Sequence, residues 1–202
     1  MIKGCDLSHW NADVDFKQMM RDGVRFAYLK ALEGIHSKDN LFSFRAGVCQ
    51  VLGLPFGAYH FFRPRADALE QAAAFCEIVG KPTAGNLPPA LDLEYCPEGD
   101  GDQWDSIGPL TAEDNVRIWL SEVEKRLGVK AVIYTSASFW RTYLGNSKAF
   151  ADHPLWAAHY DSTPPEPFGG WQVVTIWQQM PANGLDTDVL CDDNLAKILV
   201  GG

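Results

Sequence analysis

The sequence predicts an α/β fold: an irregular TIM-type β/α barrel with eight strands, fewer than eight helices and a strand-rich C-terminal third. Three observations lead there. Over the first 135 residues short apolar runs alternate with longer amphipathic stretches, the pattern of βαβ units on a parallel sheet. The last 50 residues carry strand patterns but almost no helix. Eight strand candidates in 202 residues then imply a trimmed barrel, because TIM-type barrels run down to about 200 residues. An open, doubly wound sheet is the competing arrangement.

The apolar run Ile2–Leu7 opens the chain as a strand, and the amphipathic stretch Asp15–Asp22 follows as a helix. Val24–Lys30 is the second strand. Leu41–Leu52 reads as a helix, with Gly53 where its C-cap belongs. Strand Pro55–Phe61 leads to helix Ala66–Val79, and strand Pro89–Leu93 to helix Thr111–Leu127. Thr111 and Asp114 resemble a capping box at the start of that helix, and Gly128 stands at its C-cap. After strand Ala131–Thr135 comes a short helix, Ser138–Leu144, and strands Leu155–His159, Val173–Gln178 and Thr187–Leu190 complete the set. The longest linker-like stretch is the Pro/Gly segment Thr163–Gly170, and the chain has no internal repeats. Residues 1–202 are therefore expected to form a single domain.

Composition removes several classes of function. Hydrophobic residues make up 47% and charged residues 21%, which excludes a disordered chain. No apolar run approaches the roughly 18 residues of a membrane span. Met1-Ile2-Lys3-Gly4-Cys5-Asp6 lacks the basic and apolar segments of a secretory signal. A formal charge of −9, with no basic cluster longer than Lys125-Arg126, argues against nucleic acid. Five cysteines stand far apart without a C-x-x-C, which excludes zinc ribbons and redox dithiols and suits synthesis in a reducing cytosol. Cys49 and Cys76 read as small core residues. The histidines lack metal-ligand spacing and no nucleotide-binding motif is present, so no cofactor or metal is expected.

In a barrel the reactive groups sit where strands end at the C-terminal face. Asp6 ends the first strand, Glu33 follows the second, Tyr59-His60 ends the third, and Tyr134 the fifth. Trp156 to Tyr160, Trp177-Gln178, Asp186 and Asp188 supply the rest of one rim. The sharpest signal is Asp92-Leu93-Glu94. Residues two apart on a strand share a face, so two carboxylates meet in a buried setting, and their repulsion leaves one of them protonated near neutral pH. Glycosidic-bond cleavage needs that pairing of a protonated with an ionised carboxyl group. Trp156 and Trp177, at strand ends, are the tryptophans expected to face sugar rings, whereas Trp119 lies within a helix and reads as core.

Seven motifs in order make the chain resemble the glycoside hydrolase family 25 muramidases, the Chalaropsis-type lysozymes found among phage endolysins, bacterial autolysins and fungal lysozymes. They are Gly4-Cys5-Asp6-Leu7-Ser8, Phe26 to Gly34, Gly53 to Phe61, Leu91-Asp92-Leu93-Glu94, Leu155 to Tyr160, Ile176-Trp177-Gln178 and Gly184-Leu185-Asp186-Thr187-Asp188. The resemblance implies an irregular barrel that cleaves the β-1,4 bond between N-acetylmuramic acid and N-acetylglucosamine in peptidoglycan. It implies Glu94 as general acid, Asp92 orienting or stabilising the reacting centre, and Asp6 and Asp186 completing an acidic floor. Tyr59, Tyr134, Trp156, Tyr160 and Gln178 would line the sugar subsites. Two routes stay open, attack by the substrate's own 2-acetamido group or by a carboxylate nucleophile, Asp186 or Asp6.

Departures from the family pattern bear on specificity. His9-Trp10-Asn11 stands where Gln-Gly is often found, Leu32 where Thr is usual, Gln179 where Tyr is frequent, and Asp188 in place of the closing Asn. A non-catalytic glycan-binding domain, or a chitinase-like or glucosaminidase enzyme on another N-acetylated glycan, are the alternatives. The expected partner is bacterial cell-wall peptidoglycan, met by a monomer made in the cytosol. Holin-type release, delivery on a phage particle or signal-less secretion would carry it to the wall, to which a chain of charge −9 adheres weakly.

Overall fold

The computed structural model describes residues 1–11, 13–182 and 185–201. Eight strands form the frame: β1 (Ile2–Leu7), β2 (Phe26–Glu33), β3 (Phe56–Phe61), β4 (Ala90–Asp92), β5 (Val132–Ser136), β6 (Leu155–Ala158), β7 (Ile176–Ala182) and β8 (Leu185–Leu190). Around the ring their order is β1-β8-β7-β6-β5-β4-β3-β2, and β2 pairs back onto β1 from Gly4↔Phe26 to Leu7↔Leu29. That last pairing closes the sheet into a barrel, as expected, and excludes the open doubly wound alternative. Neighbours from β1 through β7 are parallel. Strand β8 is antiparallel to both β7 and β1. Only two residues separate β7 from β8, too few for a crossover, so the chain must turn back on itself.

Five helices occur among the described residues: α1 (Phe16–Arg21), α2 (Phe42–Leu52), α3 (Ala68–Val79), α4 (Pro109–Leu127) and α5 (Ala137–Tyr143). They cover the barrel from β1 to β6, and their buried faces form the larger apolar cluster with the outward side chains Leu7, Ala27, Leu29, Leu91 and Ile133. Cys49, Cys76 and Trp119 are buried in this layer, as the sequence suggests. Gly53 and Gly128 end α2 and α4 in the left-handed conformation, at φ 64° and 78°, which a residue without Cβ takes at little cost. Helix α4 begins at Pro109 with Gly108 as N-cap, so Thr111 lies inside the first turn and forms no capping box. Proline at the first turn already suits that start, its missing N–H being one that needs no partner there. The capping box lies just before it, where Asp102 and Asp105 bracket the 3-10 turn Gln103–Ser106.

Inside the ring, alternate residues fill a narrow space. Phe26, Tyr28, Tyr59, Ala90, Val132, Tyr134, Trp156, Ile176 and Leu190 make a second cluster. Its lower end is sealed by the C-terminal segment, where Leu195, Ile198 and Leu199 pack against it and Val200 is tied to Asn86 and Gly85 by backbone hydrogen bonds. The other end stays open. Two glycines make room for the aromatic filling: a methyl at Gly4 would lie 2.3 Å from the Phe26 ring, and one at Gly57 2.4 Å from the Tyr28 ring.

Gly57→Ala should therefore destabilise the protein, because its Cβ would also meet the Pro88 carbonyl oxygen at 2.9 Å, an atom that cannot swing aside. Overpacking of this kind costs about 1–3 kcal/mol, and a chain of this size loses roughly 2–4 °C of Tm for each kcal/mol. Thermal unfolding at neutral pH measures it. An unchanged Tm would mean that the barrel interior has slack.

Candidate active site

At the open end the parallel strands present their C-terminal residues, while the reversed β8 presents its first ones. Asp6 on β1 therefore stands beside Asp186 on β8, and Asp188 lies one inward position deeper, opposite Gly4. Asp92 closes β4, and the ladder runs one residue further, with the Leu93 N–H donating to the Tyr134 carbonyl at 2.9 Å. Glu94 follows just beyond the strand. Its backbone is held because its carbonyl accepts the indole N–H of buried Trp104 at 3.0 Å.

These groups line a single cavity of about 240 Å³. All nine residues expected at the site meet there: Asp6, Asp92, Glu94, Asp186, Tyr59, Tyr134, Trp156, Tyr160 and Gln178. Gly184, which opens the last motif, lies outside the described residues. Trp177 does not join them. On β7 its neighbours Ile176 and Gln178 face inward, so Trp177 must face out, and its indole N–H donates to the His159 carbonyl at 2.7 Å. His60 likewise faces outward, fully buried and stacked on Trp119 with ring centroids 5.5 Å apart. Burial pushes its imidazole down to about 4, which keeps it neutral.

Four further residues line the cavity: Ser8, Lys30 and Phe61, which were not expected there, and Trp10, from the His9-Trp10-Asn11 departure that bears on specificity. Alternation would have found three, since Ser8, Lys30 and Phe61 each stand two residues beyond an inward residue, Asp6, Tyr28 and Tyr59. Lys30 is the one cation lining the cavity among the described residues. Its ammonium bonds Glu33 at 2.6 Å, and Arg63 pairs with the other carboxylate oxygen of Glu33. Strand β2 runs on to Glu33, past the expected end at Lys30, with one extra residue between Lys30 and Leu32 relative to β3. That bulge turns Lys30 and Glu33, three apart, to the same side. On a regular strand they would face opposite sides.

Gln178 is the hub of the polar network. Its carbonyl oxygen accepts the hydroxyls of Tyr134 at 2.7 Å and Tyr160 at 2.9 Å, which leaves its amide N–H to donate to Asp6 at 2.7 Å. Asp6 is therefore an acceptor on that side. Below it Asp188 is fully buried; one oxygen accepts the Trp156 indole N–H at 2.9 Å and the other has no donor. A carboxylate so placed is penalised by burial first and by Asp6 next, which pushes its pKa well above the usual range. Asp188 opposes the rise of the Asp6 pKa only in small part.

Burial likewise drives up the remaining acids. Asp6 rises to about 7 through burial and then the charge of Asp186, with Gln178 opposing the shift. Asp92 is pushed well above the carboxylate range by burial and Glu94, and its Oδ1 has no partner. Glu94, half-buried, rises to about 7 by burial, against the pull of Lys30. The cavity thus holds an acid able to carry a proton to a ligand at neutral pH beside carboxyl groups that can bear charge. Its walls include aromatic rings, with Tyr134 edge-on to Trp156 at 4.8 Å, and Trp156 is backed by the buried Tyr28, stacked on it at 4.6 Å.

The family described as Glycosyl hydrolases family 25 matches residues 5–183. Lysozyme M1 of Streptomyces globisporus is 34% identical over 185 residues, covering 88% of this chain and 61% of that protein. The chain thus spans about three fifths of the length of that curated relative. An N,O-diacetylmuramidase of Arthroderma benhamiae is 31% identical, covering 100% of this chain and 88% of that one. The solved structure of a family GH25 lysozyme from Aspergillus fumigatus superimposes with a TM-score of 0.92 at 30% identity, covering 99% of each chain.

The buried Asp188 sets a stability test. Its folded pKa lies above the unfolded value of about 3.9, so its share of stability is full below that value and is lost as pH rises toward the folded one. Asp188→Asn keeps an acceptor for Trp156 and removes the charge. Its Tm gain over the parent protein should grow with pH, roughly 2–4 °C larger at pH 8 than at pH 5. A gain independent of pH would show that Asp188 is not the strained group.

Proposed function

The chain belongs to glycosyl hydrolase family 25, and from that premise we propose that it is a peptidoglycan hydrolase, a lysozyme that cleaves the β-1,4 bond between N-acetylmuramic acid and N-acetylglucosamine. The observation that carries this reading is the Asp92/Glu94 pair at the end of β4, facing Asp6 and Asp186 across one aromatic-walled cavity. Residues 1–202 act as one catalytic domain, as a monomer, on the bacterial cell wall. Among the described residues no helix is long and apolar enough to cross a membrane.

Glu94 is the general acid. With its carboxyl raised to about 7 it arrives protonated and gives that proton to the glycosidic oxygen as the bond to the anomeric carbon breaks. Asp92 acts on the other side of the reaction. Its unpartnered Oδ1 is an acceptor awaiting a donor, and the N–H of the substrate's 2-acetamido group supplies one. That hydrogen bond favours ionised Asp92 and aims the acetamido oxygen at the anomeric carbon, where it forms the new C–O bond. Glu94, now ionised, takes a proton from the water that opens the resulting ring. Asp6, fixed by Gln178, and Asp186 supply negative charge beside the developing oxocarbenium ion. Tyr59, Tyr134, Trp156, Tyr160 and Gln178 hold the sugars.

Digestion of purified peptidoglycan, followed by borohydride reduction and mass spectrometry, tests the activity. Reduced N-acetylmuramic acid at the new ends is expected. Reduced N-acetylglucosamine would make the protein a glucosaminidase, and no new ends with retained binding would make it a glycan-binding domain. Glu94→Gln should lower kcat by about 10²–10⁴-fold with the fold intact. Activity within a few-fold of the parent would remove Glu94 as the acid.

The pH dependence follows from the same group. Glu94 must hold its proton, so kcat/KM should fall as pH rises through about 7. Asp92→Asn should lose most activity while still binding glycan. An unaltered rate, or a fluorosugar trapped covalently on Asp186 or Asp6, would replace the acetamido route by a carboxylate nucleophile.

A further inference from the structure

Of the seven tryptophans, six are at most 5% exposed and one, Trp10, is 81% exposed. Leaving an indole in water forgoes much of the apolar burial that such a side chain offers, and among the described residues only the His9 ring is stacked against it. Its surroundings are nonetheless firmly built. Buried Arg45 on α2 donates to the carbonyls of Ser8 and Asn11, at 2.7 Å for Ser8, and so clasps the loop from both sides of Trp10. The Asn11 side chain accepts the Ser8 N–H at 2.8 Å. Asp39, also buried, accepts the His9 backbone N–H at 2.7 Å and lies 3.0 Å from the His9 ring nitrogen. That ring packs against Trp10, with centroids 4.5 Å apart.

A buried arginine and a buried aspartate are costly to place, and here both serve a loop whose one large apolar group points into solvent. The loop also belongs to the cavity: Trp10 lines it beside Asp6 and Ser8, at the lip where β1 ends. Tyr160 stands after β6, and its hydroxyl is already committed to Gln178. Beyond its contact with the His9 ring, the exposed indole of Trp10 is uncommitted among the described residues.

We propose that Trp10, held by the His9–Asp39 contact and the Arg45 clasp, is the platform of a further sugar subsite at the β1 lip, stacking on the apolar face of a pyranose ring of the glycan strand outside the reacting pair. This rests on the glycan-hydrolase reading above. The ring is pre-oriented, so binding orders little, and a sugar laid on it covers the apolar surface that folding leaves bare. Such a platform acts on capture of the strand and not on the bond-breaking step. Its signature is in KM.

The test compares Trp10→Ala, Trp10→Phe and His9→Ala on short and long glycan strands prepared from peptidoglycan. Trp10→Ala should raise KM for long strands roughly ten-fold and leave kcat within about two-fold, with a smaller effect on short strands. Trp10→Phe should restore most of the affinity, and His9→Ala should fall between. Calorimetric binding of long strands to Glu94→Gln, with and without Trp10→Ala, reads the same subsite without turnover. If the parent protein releases no new ends, the hydrolase reading fails while this binding difference still decides the subsite. Equal KM and equal binding with and without the indole would overturn it, as would a loss confined to kcat.

Discussion

Strand β8 runs against both of its neighbours, and the ladder it forms with β1 joins architecture to chemistry. A ring of parallel strands gathers only C-terminal ends at its open face. Inserting one reversed strand brings an N-terminal end there too, so Asp186 stands beside Asp6 although 179 residues lie between them, and Asp188 comes to rest beneath. The same strand closes the barrel without a helix and so explains how a ring of eight strands fits so short a chain. Slipping that ladder by one residue would turn both aspartates outward.

Gathering acids in a narrow, dry space raises the cost of every charge, and the network apportions the protons. Two tyrosine hydroxyls point at one oxygen of Gln178, which obliges its amide to face Asp6. Asp6 thereby accepts, Asp188 beneath it keeps its proton, and Glu94, half-buried near Lys30, rises to about 7. The amide orientation of Gln178 opposes the rise that burial and Asp186 impose on Asp6, which still reaches about 7, as Glu94 does. The burial that makes these groups useful also makes them destabilising, as expected of a site that does chemistry.

Much of this was legible in the residues. Apolar runs located all eight strands, and the period of two placed Asp92 and Glu94 on one side. The direction of β8 was not read, although Asn183-Gly184 between two apolar runs is a hairpin signal in its own right. Trp156 and Trp177 looked equivalent because both sit near strand ends. One residue of register separates a cavity wall from an outward indole, and the inward partner, Gln178, was the clue. Trp10 gave no periodic signal, since loop residues obey no alternation. The sequence marks it only as part of the His9-Trp10-Asn11 departure, and its exposure in the folded chain sets it apart from the other tryptophans.

Strand β2 shows how a local irregularity serves the site as a whole. A strict strand would have sent Lys30 inward and Glu33 outward, burying an ammonium among the acids without its own partner. The extra residue at Ala31 returns Glu33 to the inner side, where it meets Lys30 at 2.6 Å and is itself held by Arg63. Lys30 also lies 4.7 Å from the centre of the Phe61 ring, which steadies it from a second side. Its charge still lowers the pKa of Glu94 and Asp92, against the rise that burial imposes on both. Without that counterweight burial would keep both acids protonated further above neutral pH, and in the proposed reaction Glu94 would release its proton less readily. The bulge in β2 and the reversal of β8 are therefore complementary: one gives the inward ammonium its carboxylate partner, and the other sets Asp186 and Asp188 beside Asp6.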